Sequence, residues 1–260
     1  MMKTLFLAWQ DANSGDWFPI GKLTFDRKMY EFAYTKGILE AIEKCGFEPL
    51  YSLPDLNKVY RSVELFPLFS NRVLSRSRPN YKNFVELLNL PQHEDDPITL
   101  LARSGGQKAT DKFEVFPCPE RDENGLYHIH FFVRGLRHLP PASLDRINKL
   151  QKNELLRLVH DFQNPYDRNA LMLRTNESFP GDLYFVGYCP RYLVDDAFNF
   201  IGQNPEIVHI QVERVNLVPT PLQFRLLCNM TAPWPDDFHP FSSPMYQLIR
   251  ADIATASRAN

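Results

Sequence analysis

The residues with the clearest chemical potential lie in one polar stretch, residues 161–170, which reads D-F-Q-N-P-Y-D-R-N-A. Within it, Tyr166 stands between the amide of Asn164 and the carboxylate of Asp167. An aromatic face can stack on a base, and a carboxylate accepts a hydrogen bond from a hydroxyl but repels a phosphate. A simpler interpretation is a tight turn whose Asn and Asp side chains cap backbone groups. Both interpretations stay open at this point.

Apolar residues on both sides of the stretch predict that it is the tip between two strands. Short runs rich in Leu, Val and Met, bounded by turn residues, are typical of strands. The residues that precede and follow the tip are Leu155, Leu156, Leu158, Val159, Ala170, Leu171, Met172 and Leu173.

Two further stretches flank this tip in the chain: F-F-V-R-G-L-R-H from Phe131 and F-V-G-Y-C-P-R-Y-L from Phe185. In order, the three contain (F/V)-x-G-x-R, N-P-x-D-x-N-A and V-G-Y-x-P-R. Together they resemble the HIRAN domain, a small β-barrel found at the front of some DNA-remodelling ATPases and in short bacterial proteins. The resemblance covers residues 127–230 and implies binding of single-stranded DNA at a free 3′ end.

The resemblance also implies roles for the matched residues of the tip. Tyr166 corresponds to a base-stacking aromatic, Asp167 to the carboxylate that faces the 3′ hydroxyl, and Asn164 to a polar contact with the terminal nucleotide. Two positions depart from the pattern of the eukaryotic members. His138 stands where a tyrosine is usual and offers a smaller ring for stacking, and Tyr188 stands where a histidine is usual.

The remaining matched residues are two cations and one aromatic. Arg137 and Arg191 correspond to phosphate contacts, and Phe224 corresponds to an aromatic on the last strand that wedges beside the bases. Taken singly, the arginines could be ordinary surface cations and the phenylalanine a core residue. The nucleic-acid-binding residues predicted by the resemblance are Arg137, His138, Asn164, Tyr166, Asp167, Tyr188, Arg191 and Phe224.

The N-terminal half shows a strand hairpin followed by short helical segments. Residues 3–9, 19–25 and 30–34 have strand patterns, and residues 39–45 have helical spacing with Gly46 as the stop. With the S-L-P that follows Tyr51, this half resembles the N-terminal subdomain of HipA-type toxin kinases. The segment that follows here is HIRAN-like and is not the kinase core, so the resemblance implies a fold and a partner-docking role without phosphotransfer.

The sequence therefore predicts an α+β protein with two domains. The first domain, residues 1–117, is a strand hairpin or sheet with helices. The second, residues 127–230, is a small SH3/OB-like β-barrel with short helices. A charged linker spans residues 118–126, and a proline-rich extension occupies residues 231–260.

Composition limits the class of protein. The 260 residues are 44% hydrophobic and 13% aromatic, which is enough for a substantial core. A net charge of −2 argues against a broadly basic, non-specific nucleic-acid binder but allows a local basic pocket. Four scattered cysteines without a C-x-x-C pair predict reduced thiols in the bacterial cytoplasm. We find no apolar run of the ~18 residues that a membrane span needs, and we predict neither a cofactor nor membrane association.

Other clusters suggest chemistry less strongly. His128 and His130 share a strand face, but a third metal ligand at a recognisable spacing is lacking. The loop S-G-G-Q-K-A-T from Ser104 lacks the spacing of a P-loop. These clusters are more simply explained as strand histidines and a plain loop.

The predicted function is a non-catalytic adaptor in bacterial DNA repair, defence or a toxin–antitoxin system. It binds a 3′ end of single-stranded DNA, or RNA, through the second domain and a partner protein through the first. Two alternatives stay open. One is a nuclease or phosphotransfer component that uses Asp95, Asp96 or Asp111, and the other is a protein-interaction module with a vestigial HIRAN surface.

Overall fold

The computed structural model describes residues 2–91 and 93–249, and within them the chain is of the predicted α+β class, with two β-sheets and short helices. No helix in this described part is long and apolar enough to cross a membrane.

The described residues divide into two compact units. The N-terminal unit comprises residues 2–85, 90–118 and 241–249, and the C-terminal unit comprises residues 86–89 and 119–240. The domain boundaries expected from the sequence stay a prediction. Residues 250–260 of the expected proline-rich extension lie outside the described residues.

An antiparallel five-stranded sheet forms the base of the N-terminal unit. Its strands are β1 (Lys3–Gln10), β2 (Trp17–Phe25), β3 (Tyr30–Tyr34), β4 (Tyr60–Ser62) and β5 (Phe113–Pro117), in the order β4-β3-β2-β1-β5. Alternating apolar side chains bury one face, where Leu7, Ile20 and Phe32 are fully inaccessible to solvent. The predicted strand at 30–34 is confirmed.

Short helices follow the strands: α1 (Gly37–Cys45), α2 (Pro67–Ser70), α3 (Tyr81–Leu87) and α4 (Pro97–Ser104). Helix α1 ends at Gly46, which adopts φ 65° and donates its amide to the carbonyl of Ile42, as its position predicted. The N-cap of helix α4 is Asp96, whose carboxylate accepts the amide of Thr99.

A six-stranded antiparallel sheet forms the C-terminal unit. Its strands are β6 (Leu126–Phe132), β7 (Leu155–His160), β8 (Leu171–Thr175), β9 (Phe185–Tyr188), β10 (His209–Val215) and β11 (Leu226–Pro233), in the order β6-β11-β10-β7-β8-β9.

This second sheet curls until its two ends meet. Just after β6, Arg134 exchanges two backbone hydrogen bonds with Tyr188 of β9, each 2.9 Å long. The close approach requires a glycine at 187, because a Cβ there would lie 2.5 Å from the carbonyl oxygen of Arg134. Register shifts after Leu173 and Val212 provide the bends. The narrower SH3/OB-like assignment stays a prediction.

Helices α5 (Pro141–Ile147) and α6 (Val194–Gln203) belong to the C-terminal unit, and α5 carries its main buried ion pair. Arg146 donates to both carboxylate oxygens of Asp182, at 2.8 and 3.0 Å, and also to Glu154. Arg146 is 7% exposed and Asp182 is fully buried. The pair ties α5 to the loop between β8 and β9, and the bond from Arg146 lowers the pKa of the Asp182 carboxyl.

Candidate functional site

The loop between β7 and β8 is a closed, hydrogen-bonded turn. Asp161 donates its amide to the carbonyl of Ala170 at 3.0 Å, which brings the two ends of the loop together. The side-chain oxygen of Asn164 accepts the amides of Tyr166 and Asp167, at 3.0 and 3.1 Å. The side-chain amide of Asn164 is therefore engaged in shaping the tip, which is the role that turn chemistry alone predicts.

Tyr166 is presented to solvent by this turn. Its side chain is 84% exposed, which is unusual for a large aromatic residue on a well-braced loop. Its carbonyl oxygen accepts Nη2 of Arg191 at 2.8 Å. The ring of Tyr166 is thus accessible to a ligand, while the backbone of Tyr166 is held by hydrogen bonds to the side chains of Asn164 and Arg191.

Arg191 binds the tip a second time through Asp167. Its Nε donates to Oδ2 of Asp167 at 2.9 Å, and the other oxygen of Asp167 accepts the amide of Asn169 at 3.0 Å. Arg191 opens the 3₁₀ turn Arg191–Leu193, directly after β9. The structure therefore brings the predicted residues Asn164, Tyr166, Asp167 and Arg191 together, with the arginine bridging the tip and the β9 end of the sheet.

Tyr188 joins the same group through Asp161. Its hydroxyl donates to Oδ2 of Asp161 at 3.0 Å, and Asn164 donates to the same oxygen at 3.0 Å. Burial, and then the bond to Asp161, raise the pKa of the Tyr188 hydroxyl above its ordinary value, so the group keeps its proton and donates. Sequence reasoning assigned no role to Asp161, although an acidic residue that closes a strand before a polar turn is a recognisable signal.

Arg137 and His138 lie in the 3₁₀ turn Leu136–His138, and both are exposed. Nε of Arg137 donates to Nε2 of His138 at 2.9 Å. The turn begins after Gly135, at φ 77°, where a Cβ would lie 2.9 Å from the ring of Tyr188. The turn that carries Arg137 and His138 therefore lies beside Tyr188, whose hydroxyl bonds to Asp161 at the start of the tip.

Phe224 was expected on the last strand, and this placement is wrong. The residue ends the 3₁₀ turn Leu222–Phe224, and β11 begins two residues later. Pro221 presets the turn, and the side chain of Asn216 donates to the carbonyl of Phe224 at 2.7 Å. The half-buried ring contacts Phe132 edge-on, with centroids 5.2 Å apart. The turn also contacts the one that carries Arg137 and His138.

A second exposed aromatic on the same loop was not identified from the sequence. Phe162 is 77% exposed and its ring lies 3.9 Å, centroid to centroid, from that of His160. His160 in turn contacts the ring of Phe198 and bonds through Nε2 to the carbonyl of Arg168. A solitary phenylalanine in a polar stretch gives no signal of this exposure, because pattern alone would place it in the core.

The acidic residues of the enzymatic alternative have structural partners. Asp95 accepts Arg76 at 2.9 Å and the hydroxyl of Tyr81 at 2.7 Å. Asp96 caps α4 and pairs with Lys3 at 2.7 Å. Asp111 accepts both terminal nitrogens of Arg72.

One of the two strand histidines, His128, has an acidic partner in the same unit. Its Nε2 lies 2.9 Å from a carboxylate oxygen of Asp122. Within the ranges described, no group of three or more His, Cys, Asp or Glu side chains is arranged to hold a metal ion.

Comparisons with known proteins give two solved structures. No protein-family model and no curated protein matches the chain. The crystal structure of a Lactobacillus plantarum protein is 18% identical, with a TM-score of 0.32, and the match covers 42% of this chain and 97% of that one. The crystal structure of the HIRAN domain of human HLTF is 21% identical, with a TM-score of 0.27, and the match covers 43% of this chain and 81% of that one.

Proposed function

We propose that the C-terminal unit binds single-stranded nucleic acid without catalysing a reaction, and that Tyr166 stacks on a base. One observation carries this proposal: a tyrosine ring that is 84% exposed sits on a loop held rigid by Asn164 and Arg191. A preorganised aromatic face costs little entropy when a planar ligand covers it. Stacking of a base on such a ring contributes ~1–3 kcal/mol.

Cations around the tip support a phosphate-bearing ligand. Arg137 and His138 are exposed on the neighbouring turn. Arg191 instead donates hydrogen bonds from two of its nitrogens to Asp167 and Tyr166 of the tip. We infer that Arg137 and His138 contact phosphates and that Arg191 chiefly positions the loop. With a net charge of −2 the molecule as a whole provides no long-range attraction for a polyanion, so binding must rely on local clusters of positive charge.

The binding proposal is tested by titrating the full chain with a fluorescent single-stranded oligonucleotide over a series of NaCl concentrations. We expect binding that weakens linearly with the logarithm of salt concentration, as phosphate contacts require. RNA of the same sequence distinguishes the two nucleic acids. Binding that is absent, or that is indifferent to salt, contradicts the proposal.

The preference for a 3′ end is a further part of the proposal, and it rests on Asp167. Replacing Asp167 by asparagine keeps one oxygen for the amide of Asn169 but removes the negative charge, and with it the ion pair to Nε of Arg191. We therefore expect Asp167→Asn to reduce the preference for a 3′ hydroxyl over a 3′ phosphate, because the charge that repels the phosphate is gone.

Affinities for the two oligonucleotides and the melting temperature are measured on the same variant. An unchanged end preference together with a lower melting temperature indicates that Asp167 serves only the ion pair with Arg191. The side chains of this pair are 29% and 24% exposed, so its loss should cost at least the ~0.2–1 kcal/mol of a fully exposed pair.

We propose that the N-terminal unit docks a partner protein, which makes the whole chain an adaptor in bacterial DNA repair, defence or a toxin–antitoxin system. This part rests on the HipA-like sequence pattern. Pull-down of a specific partner by the full chain, abolished by changes in that unit alone, is the corresponding test.

A further inference from the structure

The outer face of strands β7, β8 and β9 carries two arginines directly opposite each other. Arg157 in β7 pairs with Arg174 in β8, and Arg174 pairs with Phe185 in β9. Residues that face each other across antiparallel strands have Cβ atoms about 4.5–5.5 Å apart. The three side chains therefore form a continuous row across three strands, which we call the arginine row.

The row points to solvent. The sequence neighbours on the other face, Leu156, Leu173 and Val186, are 5%, 0% and 0% exposed. Because side chains alternate along a strand, the row must lie on the opposite face. Phe185 is 46% exposed, Arg157 is also exposed, and Arg174 between them is half-buried, with 25% of its side chain exposed.

Local partners do little to offset the repulsion between the arginines. Arg157 donates to the neutral side-chain oxygen of Asn176 at 2.6 Å. Nη1 of Arg174 donates to the carbonyl of Thr175 at 2.8 Å and lies 3.0 Å from the carboxylate of Glu177, whose side chain is 61% exposed. Like charges opposite each other destabilise a strand pair, and exposed ion pairs compensate weakly. Two facing guanidinium groups with one carboxylate beside them leave a local excess of positive charge, which favours an anionic ligand.

We propose that the arginine row is a second contact site for single-stranded nucleic acid, in which Arg157 and Arg174 bind phosphates and Phe185 contacts a base. This rests on the proposed function of the tip. The row is close to the tip along the sheet: Tyr188 pairs with Met172, which precedes Arg174 by two residues on the same face. Two residues along a strand span about 7 Å, so a strand leaving Tyr188 and Asp161 reaches the row within a few nucleotides.

A polyanion with bases suits this surface. Positive charge beside an aromatic side chain on an open sheet is the combination that sequence-tolerant single-strand binders use. Two guanidinium groups also match phosphate oxygens geometrically. The row therefore extends the binding path inward from the terminal nucleotide.

The test compares a short and a long oligothymidine, of ~4 and ~12 nucleotides, both within the range of site sizes for single-strand binders. Fluorescence anisotropy measures the affinity of both oligonucleotides for the unaltered full chain and for the double variant Arg157→Ala, Arg174→Ala. We expect affinity for the long oligonucleotide to fall more than ~tenfold in low salt, and its salt slope to flatten by about 1.4, since each phosphate contact on a single strand contributes ~0.7. Affinity for the short oligonucleotide, which reaches the row with few of its phosphates, should fall by a smaller factor.

Two control variants accompany it. Arg61→Ala with Arg78→Ala removes the same charge from exposed positions of the N-terminal unit and should leave both affinities unchanged. Arg157→Lys with Arg174→Lys keeps the charge and should keep most of the salt slope, which makes the test decisive even if the alanine variant folds poorly. Loss of the length preference together with a flattened salt slope in the lysine variant, despite a normal melting temperature, overturns phosphate binding by charge.

The experiment distinguishes a failure of the proposed binding function from a failure of the arginine row alone. If the unaltered protein binds neither oligonucleotide, the proposed function itself is wrong, and the row falls with it. If it binds both and the double alanine variant behaves identically, only the row is wrong. An oligoglutamate of equal charge that competes as well as the long oligothymidine would reassign the row to an acidic peptide.

Discussion

Replacing Asp182 by alanine is expected to lower the free energy of unfolding of the C-terminal unit by about 3–5 kcal/mol, because Arg146 then stays buried without its main partner. Arg146 is 7% exposed and donates to both oxygens of Asp182. Glu154 still accepts one bond from Arg146, which favours the lower end of this range. Urea denaturation, with hydrogen exchange of the β8 and β9 amides to localise the effect, measures the change.

The matched control is Asp145→Ala, which removes an exposed carboxylate beside Arg146 on the same helix. It should change stability by no more than ~0.5 kcal/mol, as is usual for surface positions. Equal effects of the two variants would show that the buried pair contributes nothing specific.

Acid should abolish the difference in the free energy of unfolding between the Asp182→Ala variant and the unaltered protein. The bond from Arg146 holds the pKa of the native Asp182 carboxyl below its ordinary value. A lowered native pKa means that the stabilisation is fully present above the unfolded value of about 3.9 and is lost as the pH falls through the native value. The two stabilities should therefore differ at pH 7, begin to converge below about pH 4 and become equal only below the native pKa.

Replacing Tyr166 by alanine is expected to weaken binding of single-stranded DNA by roughly ten- to a hundredfold, because one stacking face worth ~1–3 kcal/mol is lost. The slope of affinity against salt should barely change, since the ring contacts no phosphate. The loop should keep its shape, because its bonds to Asn164 and Arg191 come from the backbone of Tyr166. Fluorescence anisotropy over a salt series measures both quantities.

Two variants separate stacking from other effects of the tyrosine. Tyr166→Phe keeps the ring and should bind normally. Tyr51→Ala removes a still more exposed tyrosine from the N-terminal unit and should also bind normally. A loss in the phenylalanine variant as large as in the alanine variant would assign the effect to the hydroxyl and contradict stacking.

The sequence by itself determined the features that depend on neighbours within a few residues. The turn formed by Asn164, the strand at residues 30–34 and the end of α1 at Gly46 all follow from local chemistry and periodicity. The α+β class follows from the same patterns. Which side chains could make a site was also readable, because polar and aromatic residues in a turn are conspicuous against apolar flanks.

Only the tertiary structure decided which distant residues meet. Arg191 reaches Asp167 and Tyr188 reaches Asp161 because β9 pairs antiparallel with β8, which places the end of β9 beside the loop between β7 and β8. Arg157 faces Arg174 because of strand register. Alternation along a strand tells which face a side chain occupies but not which residue lies opposite, since every shift by two preserves the pattern. Register and sheet closure are set by the packing of the whole unit, and therefore these contacts could not be read from local sequence.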